Sequence, residues 1–159
     1  VLKGMPGYNL ELYGNGWEND PALKPFHEGQ VDFLNDLQAY QRVVRRNKVN
    51  LYIGPRIHNN SYMQPDLING IALGGFFLVN GLLVKAYGQQ VLEAFGGLLE
   101  TYQSQEELLD KLAYFIKHDQ ERRQRAAEVQ AHLSKNFTID RVAKIMLGGT
   151  KMALKDNLN

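Results

Sequence analysis

The segment PDLINGIALGGFFLVNG, residues 65–81, constrains the fold more than any other part of the chain. Pro65 suits the first position of a helix, where its missing N–H is not needed. The helix is expected to run to about Leu73 and to leave through Gly74 and Gly75, which adopt a left-handed backbone without a Cβ clash. Phe76 to Val79 follows at once and is apolar on both faces, the mark of a central parallel strand covered by helices. A chain that holds this corner needs a sheet at its centre and helices above and below it.

The rest of the sequence alternates in the same way. Leu10 to Tyr13 reads as a strand that ends at Gly14-Asn15-Gly16. Pro21 and Pro25 keep the next segment out of helix, and Phe26 to Val31 reads as a short strand. Asp32 is expected to cap a helix that carries Phe33, Leu37, Tyr40, Val43 and Val44 on one face. Arg45, Arg46 and Lys48 lie at its end, where the dipole favours cations. Val49 to Ile53 is an apolar strand, Gly54 to Met63 a polar loop, and Leu98 to Tyr102 one more strand. Ser104 and Glu107 form a capping box ahead of a buried stripe of Leu108, Leu109, Leu112, Phe115 and Ile116. Asp119 is expected to cap a helix that runs to about Asn136, and Thr138 a last one through Met146, stopped by Gly148-Gly149. The class is α/β, with an open parallel sheet and helices on both faces. Residues 1–147 form one domain and residues 148–159 a polar tail.

Composition excludes several classes. The chain has 159 residues, enough for one domain with a sizeable core, and no Cys, so neither a disulfide framework nor a thiolate metal site is available. A net charge of +1 gives no global sign of nucleic-acid binding. The longest apolar run, Ile71 to Val79, is far short of the roughly 20 residues of a bilayer span, so no transmembrane segment is expected. No signal peptide is read at the start, and a cytoplasmic location is expected. The start at Val1 rather than Met points to processing or to a piece of something longer.

In open parallel sheets, ligands bind at the carboxyl ends of the strands. Gly14 to Asp20, Gly54 to Gln64 and Asn80 to Tyr87 are therefore expected to share one rim. The helix at Pro65 would aim its free N–H groups into that rim, where they can hold a phosphate. Gly14-Asn15-Gly16 is not a dinucleotide fingerprint, because Asn19 stands where a third Gly is needed and Pro21 replaces the immediate helix. No phosphate loop of the G-x-x-x-x-G-K-[ST] type occurs, and the four His are scattered, so no metal site is expected. Trp17 and Tyr13 flank the first loop, where they stack on a base or pack an edge. His58 is an ordinary loop histidine or a donor to a phosphate or sugar hydroxyl. Asn59 and Asn60 serve the ligand or simply the turn. Asn69 lies one turn into the helix and reaches the ligand, a local bond or solvent. Two basic groups, Arg42 with Arg45, Arg46 and Lys48, and Arg122 with Arg123 and Arg125, read as solvated faces.

Five segments together carry a resemblance: LYGNGW, VNLYIGP, PDLINGIALGGFFLVNG, QSQEELLDKLAYFIKHDQERRQRAAE and LSKNFTIDRVAKIM. Over nearly its whole length the chain resembles the C-terminal, donor-binding half of a GT-B glycosyltransferase, of the group 1, CgeB-like kind. The resemblance implies a Rossmann-like domain that holds a nucleotide-sugar donor as substrate and needs no metal cofactor. It also implies an acceptor-binding N-terminal domain of the same polypeptide, absent from these residues. Gly14, Asn15, Gly16, Trp17, His58, Asn59, Asn60 and Asn69 would border the donor. Three positions depart from the family pattern: Asn69 stands for its ribose-binding Glu, Asp66 for an Arg, and Asn80 for a strand-end Asp. An amide accepts hydroxyls more weakly than a carboxylate. The alternative is a non-catalytic interaction or oligomerisation module of the same fold with a degenerate donor site. A small phosphate-ligand binder with a flavodoxin-like sheet is a third, weaker reading, since it lacks the Ser/Thr-rich loop.

Overall fold

The computed structural model describes residues 8–29, 31, 35–53, 65–81 and 95–138. In chain order these form β1 (Leu12–Tyr13), two 3₁₀ turns (Trp17–Asn19 and Lys24–Phe26), β2 (His27–Gly29), α1 (Leu37–Arg46), β3 (Asn50–Tyr52), α2 (Pro65–Ala72), β4 (Phe77–Asn80), β5 (Glu100–Tyr102), α3 (Gln105–Lys117) and α4 (Asp119–Asn136). All strand pairs among them are parallel. They fall into a two-stranded sheet, β1-β2, and a three-stranded sheet, β3-β4-β5.

β4 is the middle strand of the larger sheet, as its two-sided apolar character predicts. Phe77 and Val79 point into a cluster with Val44 of α1, Leu67 and Ile71 of α2, and Val129 and Leu133 of α4. Phe76 and Leu78 point the other way, against Leu108, Leu112 and Phe115 of α3. Leu78 and Val79 are 0% and 1% exposed, so both faces of the strand are closed. Burying each such side chain stabilises the fold by roughly 1.5–3 kcal/mol. Helices therefore cover both faces of the sheet, in a Rossmann-like α/β arrangement.

The glycine corner forms where the sequence predicts, but only Gly74 takes the left-handed backbone expected of both glycines; at Gly75 it is the missing side chain, facing Phe77 and Val44, that matters. Gly74 has φ of 89°. Its N–H donates to the Ile71 carbonyl at 2.9 Å, and the Gly75 N–H donates to Gly70 at 3.0 Å, which together close the end of α2. Two carbonyls left over there are taken from outside the helix. Arg45 Nε donates to Leu73 at 2.8 Å, and Gln130 Nε2 donates to Ala72 at 2.7 Å. A group read as a solvated face thus includes a cation that ties α1 to α2.

Several local expectations shift. α1 begins at Leu37, and its cap is Asp36, whose carboxylate accepts from the Ala39 N–H at 2.8 Å; Asp32 lies outside the described residues. Ser104 caps α3 through the Glu107 N–H at 3.1 Å, but Glu107 returns its bond to Gln103 rather than to Ser104. Asp119 is the first residue of α4 rather than its cap, and its carboxylate binds Arg122 and Arg123 instead. Arg122 corrects the solvated-face reading: it is 6% exposed and donates to the Phe115 carbonyl at 2.7 Å, at the end of α3. Burying a guanidinium is tolerable only with partners of this kind. The expected helix from Thr138 to Met146 and the tail 148–159 lie outside the described residues, apart from Thr138 itself.

α2 lies so close to its neighbours that a Cβ at Gly70 would come within 2.3 Å of the Phe77 ring and 2.9 Å of the Tyr40 hydroxyl. In an open helix Gly→Ala gains about 1 kcal/mol; here the overpacking cost of about 1–3 kcal/mol outweighs it. Gly70→Ala is expected to lower the urea midpoint, with no change in the slope of the transition.

Candidate functional site

A cleft of about 1000 Å³ lies between the two sheets. Residues 8–13, which include β1, line it together with residues 49–53, which include β3. Tyr40, Val43 and Val44 of α1 and Leu112 and Ile116 of α3 complete its apolar surface. The loop after β1 and the start of α2 also reach it, through Gly14, Asn15, Trp17 and Asp66. These follow the carboxyl ends of β1 and β3, where ligands of parallel sheets bind.

The Gly14 turn is built by long-range bonds as well as by its own glycines. Gly14 and Gly16 have φ of 109° and 94°, a region that strains residues with a Cβ. The Gly14 N–H donates to the Gly29 carbonyl at 3.0 Å, and His27 Nε2 bonds the Gly14 carbonyl at 2.9 Å. β2 thus holds the turn from both sides. The Trp17 indole N–H donates to the Tyr13 carbonyl at 3.0 Å, which fixes the ring beside the cleft. Glu18 accepts from the Gly16 N–H at 2.9 Å.

Two charged groups face the cleft with different environments. Arg46, at the end of α1, donates to Glu11 at 2.5 Å and to the Tyr13 hydroxyl at 2.7 Å. Burial alone would raise the Glu11 carboxyl, but the bonds from Arg46 and Tyr13 and the Arg46 charge hold it below the usual carboxylate range. Burial, joined by the Glu11 carboxylate, raises the Tyr13 phenol. Asp66 is the opposite case. Burial pushes its carboxyl above the usual range, although the amides of Leu67 and Asp66 itself and the Tyr52 hydroxyl pull it down. The Leu67 N–H reaches it at 2.9 Å. Tyr40 donates its hydroxyl to the Asp66 carbonyl at 2.9 Å, and its phenol is raised by burial and by the Asp66 charge.

Of the site residues read from sequence, Gly14, Asn15 and Trp17 line the cleft. Gly16 shapes the turn as the residue before the first 3₁₀ segment. Asn69 is half-buried in α2 and is not among the residues that line the cleft; Asp66, one turn earlier, is. His58, Asn59 and Asn60 lie outside the described residues, as do the expected rim loops at residues 54–64 and 82–87. The sequence reading did not single out His27, Tyr40 or Tyr52. His27 has no sequence signal for its role, since its partner is 13 residues away. Among the described residues no group of three or more His, Cys, Asp or Glu is placed to hold a metal.

Because the folded state raises the Asp66 carboxyl, it binds protons more readily than the unfolded chain does. Stability then falls as pH rises through the interval between the two values. Asp66→Asn removes that component and keeps an oxygen for the Leu67 amide. The variant is expected to gain stability relative to the parent as pH rises from below the ordinary carboxylate range to neutrality, measured by urea unfolding at several pH values.

A family model described as "Glycosyl transferase-like" matches residues 1–148. Among curated proteins and among solved structures no significant match is found. No helix among the described residues is long and apolar enough to cross a membrane. The match takes in both sheets, every described helix and the whole lining of the cleft, and the chain belongs to the glycosyl transferase-like family.

Proposed function

We propose that the cleft is the donor site of a glycosyltransferase of the GT-B type and that it takes a nucleotide-sugar. The observation that carries this reading is the position of the cleft: the turn after β1 and the start of α2 reach it beyond the carboxyl ends of parallel strands, in a chain of a glycosyl transferase-like family. Trp17 and the tyrosines give flat apolar surface for a base. Arg46 and Lys48 supply positive charge for phosphates. Gly14 and Asn15 border the ligand, together with Gly16 behind them and, from sequence alone, His58, Asn59, Asn60 and Asn69. The acceptor is held by an N-terminal domain outside these residues. Without it both substrates cannot be oriented, so these residues alone do not transfer sugar.

A second reading, a non-catalytic module with a degenerate donor site, is favoured by one observation. Asp66 presents a carboxylate to the cleft beside the helix start where a diphosphate was expected.

Trp17 is the only tryptophan in the sequence and lines the cleft, so its fluorescence reports occupancy directly. Titration with uridine, guanosine, adenosine and thymidine diphosphate sugars is expected to give saturable quenching with at least one of them. Calorimetry on Trp17→Ala is expected to show about 1–3 kcal/mol weaker binding of that ligand. A flat response to the whole panel, in fluorescence and calorimetry alike, favours the module instead.

A further inference from the structure

We propose that Asp66 sets the ligand preference of the cleft: it makes the α2 side a hydroxyl-accepting wall that repels phosphate, so that ribose or sugar hydroxyls lie against α2 and the phosphates lie toward Lys48 and Arg46. The inference rests on the reading of the cleft as a nucleotide-sugar site and reverses the placement that the sequence alone suggests.

The positive end of α2 is already met. Pro65 offers no N–H. The Leu67 amide donates to the Asp66 carboxylate at 2.9 Å, and the Asp66 amide also leans on that carboxylate. The helix start therefore carries the chain's own anion. The Tyr40 hydroxyl donates to the Asp66 carbonyl, so its proton is likewise committed within the protein.

Asp66 still has acceptor capacity to offer a ligand. An ionised carboxylate is acceptor-only and has about four acceptor positions. The two amides and the Tyr52 hydroxyl engage part of that capacity, and the rest suits hydroxyl donors from a ligand. A sugar or ribose carries such donors; a diphosphate at neutral pH carries none and adds like charge, which is strongly unfavourable at short range in a partly buried site. The raised carboxyl agrees with this assignment, because a hydroxyl donor relieves the cost of the buried charge and a phosphate deepens it.

Positive charge lies at the other end of β3. Lys48 leads into β3, whereas Asp66 comes after it, and both line the cleft. The Lys48 ammonium reaches the Ile116 carbonyl only at 3.5 Å and forms no ion pair among the described residues. Arg46 is partly neutralised by Glu11. Lys48 is therefore the cation best able to meet a phosphate.

The test is calorimetric titration of the parent, Asp66→Asn and Lys48→Ala with uridine, guanosine, adenosine and thymidine and with their 5′-diphosphates. For the base that binds, Asp66→Asn is expected to tighten the diphosphate by about tenfold and to weaken the nucleoside by about threefold. Lys48→Ala, at an exposed position that leaves folding intact, is expected to weaken the diphosphate and leave the nucleoside unchanged. Movement of both ligands in the same direction in Asp66→Asn, or no movement, overturns the assignment while the nucleotide site stands. So does a Lys48→Ala variant that binds the diphosphate like the parent, a result that decides the matter even if Asp66→Asn does not fold. Failure of every probe to bind all three proteins overturns the donor-site reading and this inference together.

Discussion

Everything in this structure is arranged around a strand that water reaches from neither side. Phe76 and Leu78 pack on α3, while Phe77 and Val79 pack under α1, α2 and α4. Closing both faces requires helices on both, and parallel neighbours then require crossover connections. The distance between α2 and β4 is set by the absence of side chains at Gly70 and Gly75, each of which faces the Phe77 ring. Once α2 is held at that distance, its first turn stands beside the carboxyl end of β3 and Asp66 faces the cleft. The position of a polar group in the cleft thus follows from apolar packing one turn deeper.

The carboxyl ends of α2 and α3 are also closed from neighbouring elements. Arg45 and Gln130 finish α2 from α1 and α4, and Arg122 finishes α3 from α4. A buried or half-buried carbonyl without a donor is costly, and the long basic and amide side chains supply that donor while fastening neighbouring layers together. Arg45 and Arg122 thus hold helices in place, while Lys48 and Arg46 charge the cleft.

The candidate site was legible where its geometry is local. Gly14, Asn15 and Trp17 follow a strand and surround a turn that needs glycines, and these are features of adjacent residues. Asn69 was the natural choice within α2 because it stands where the resembled family carries its ribose-binding Glu. Asp66 lines the cleft because the first turn, not the second, reaches it. His27 carries no local signal, because its bond to the Gly14 carbonyl depends on β1 and β2 lying side by side. The burial of Arg122 has no local signal for the same kind of reason. A run of arginines on a polar helix looks solvated until the end of α3 is placed against it.

By itself the sequence determined the corner at Gly74, the central place of β4 and the Ser104 cap, because each arises from side-chain periodicity or from hydrogen bonds spanning a few residues. Only the tertiary structure decided that the described strands form two sheets with a cleft between them, that Asp66 rather than Asn69 lines it, and that Asp36 caps α1. Those outcomes depend on contacts between segments tens of residues apart, on competition between neighbouring caps, and on how much water each polar group loses when the layers close.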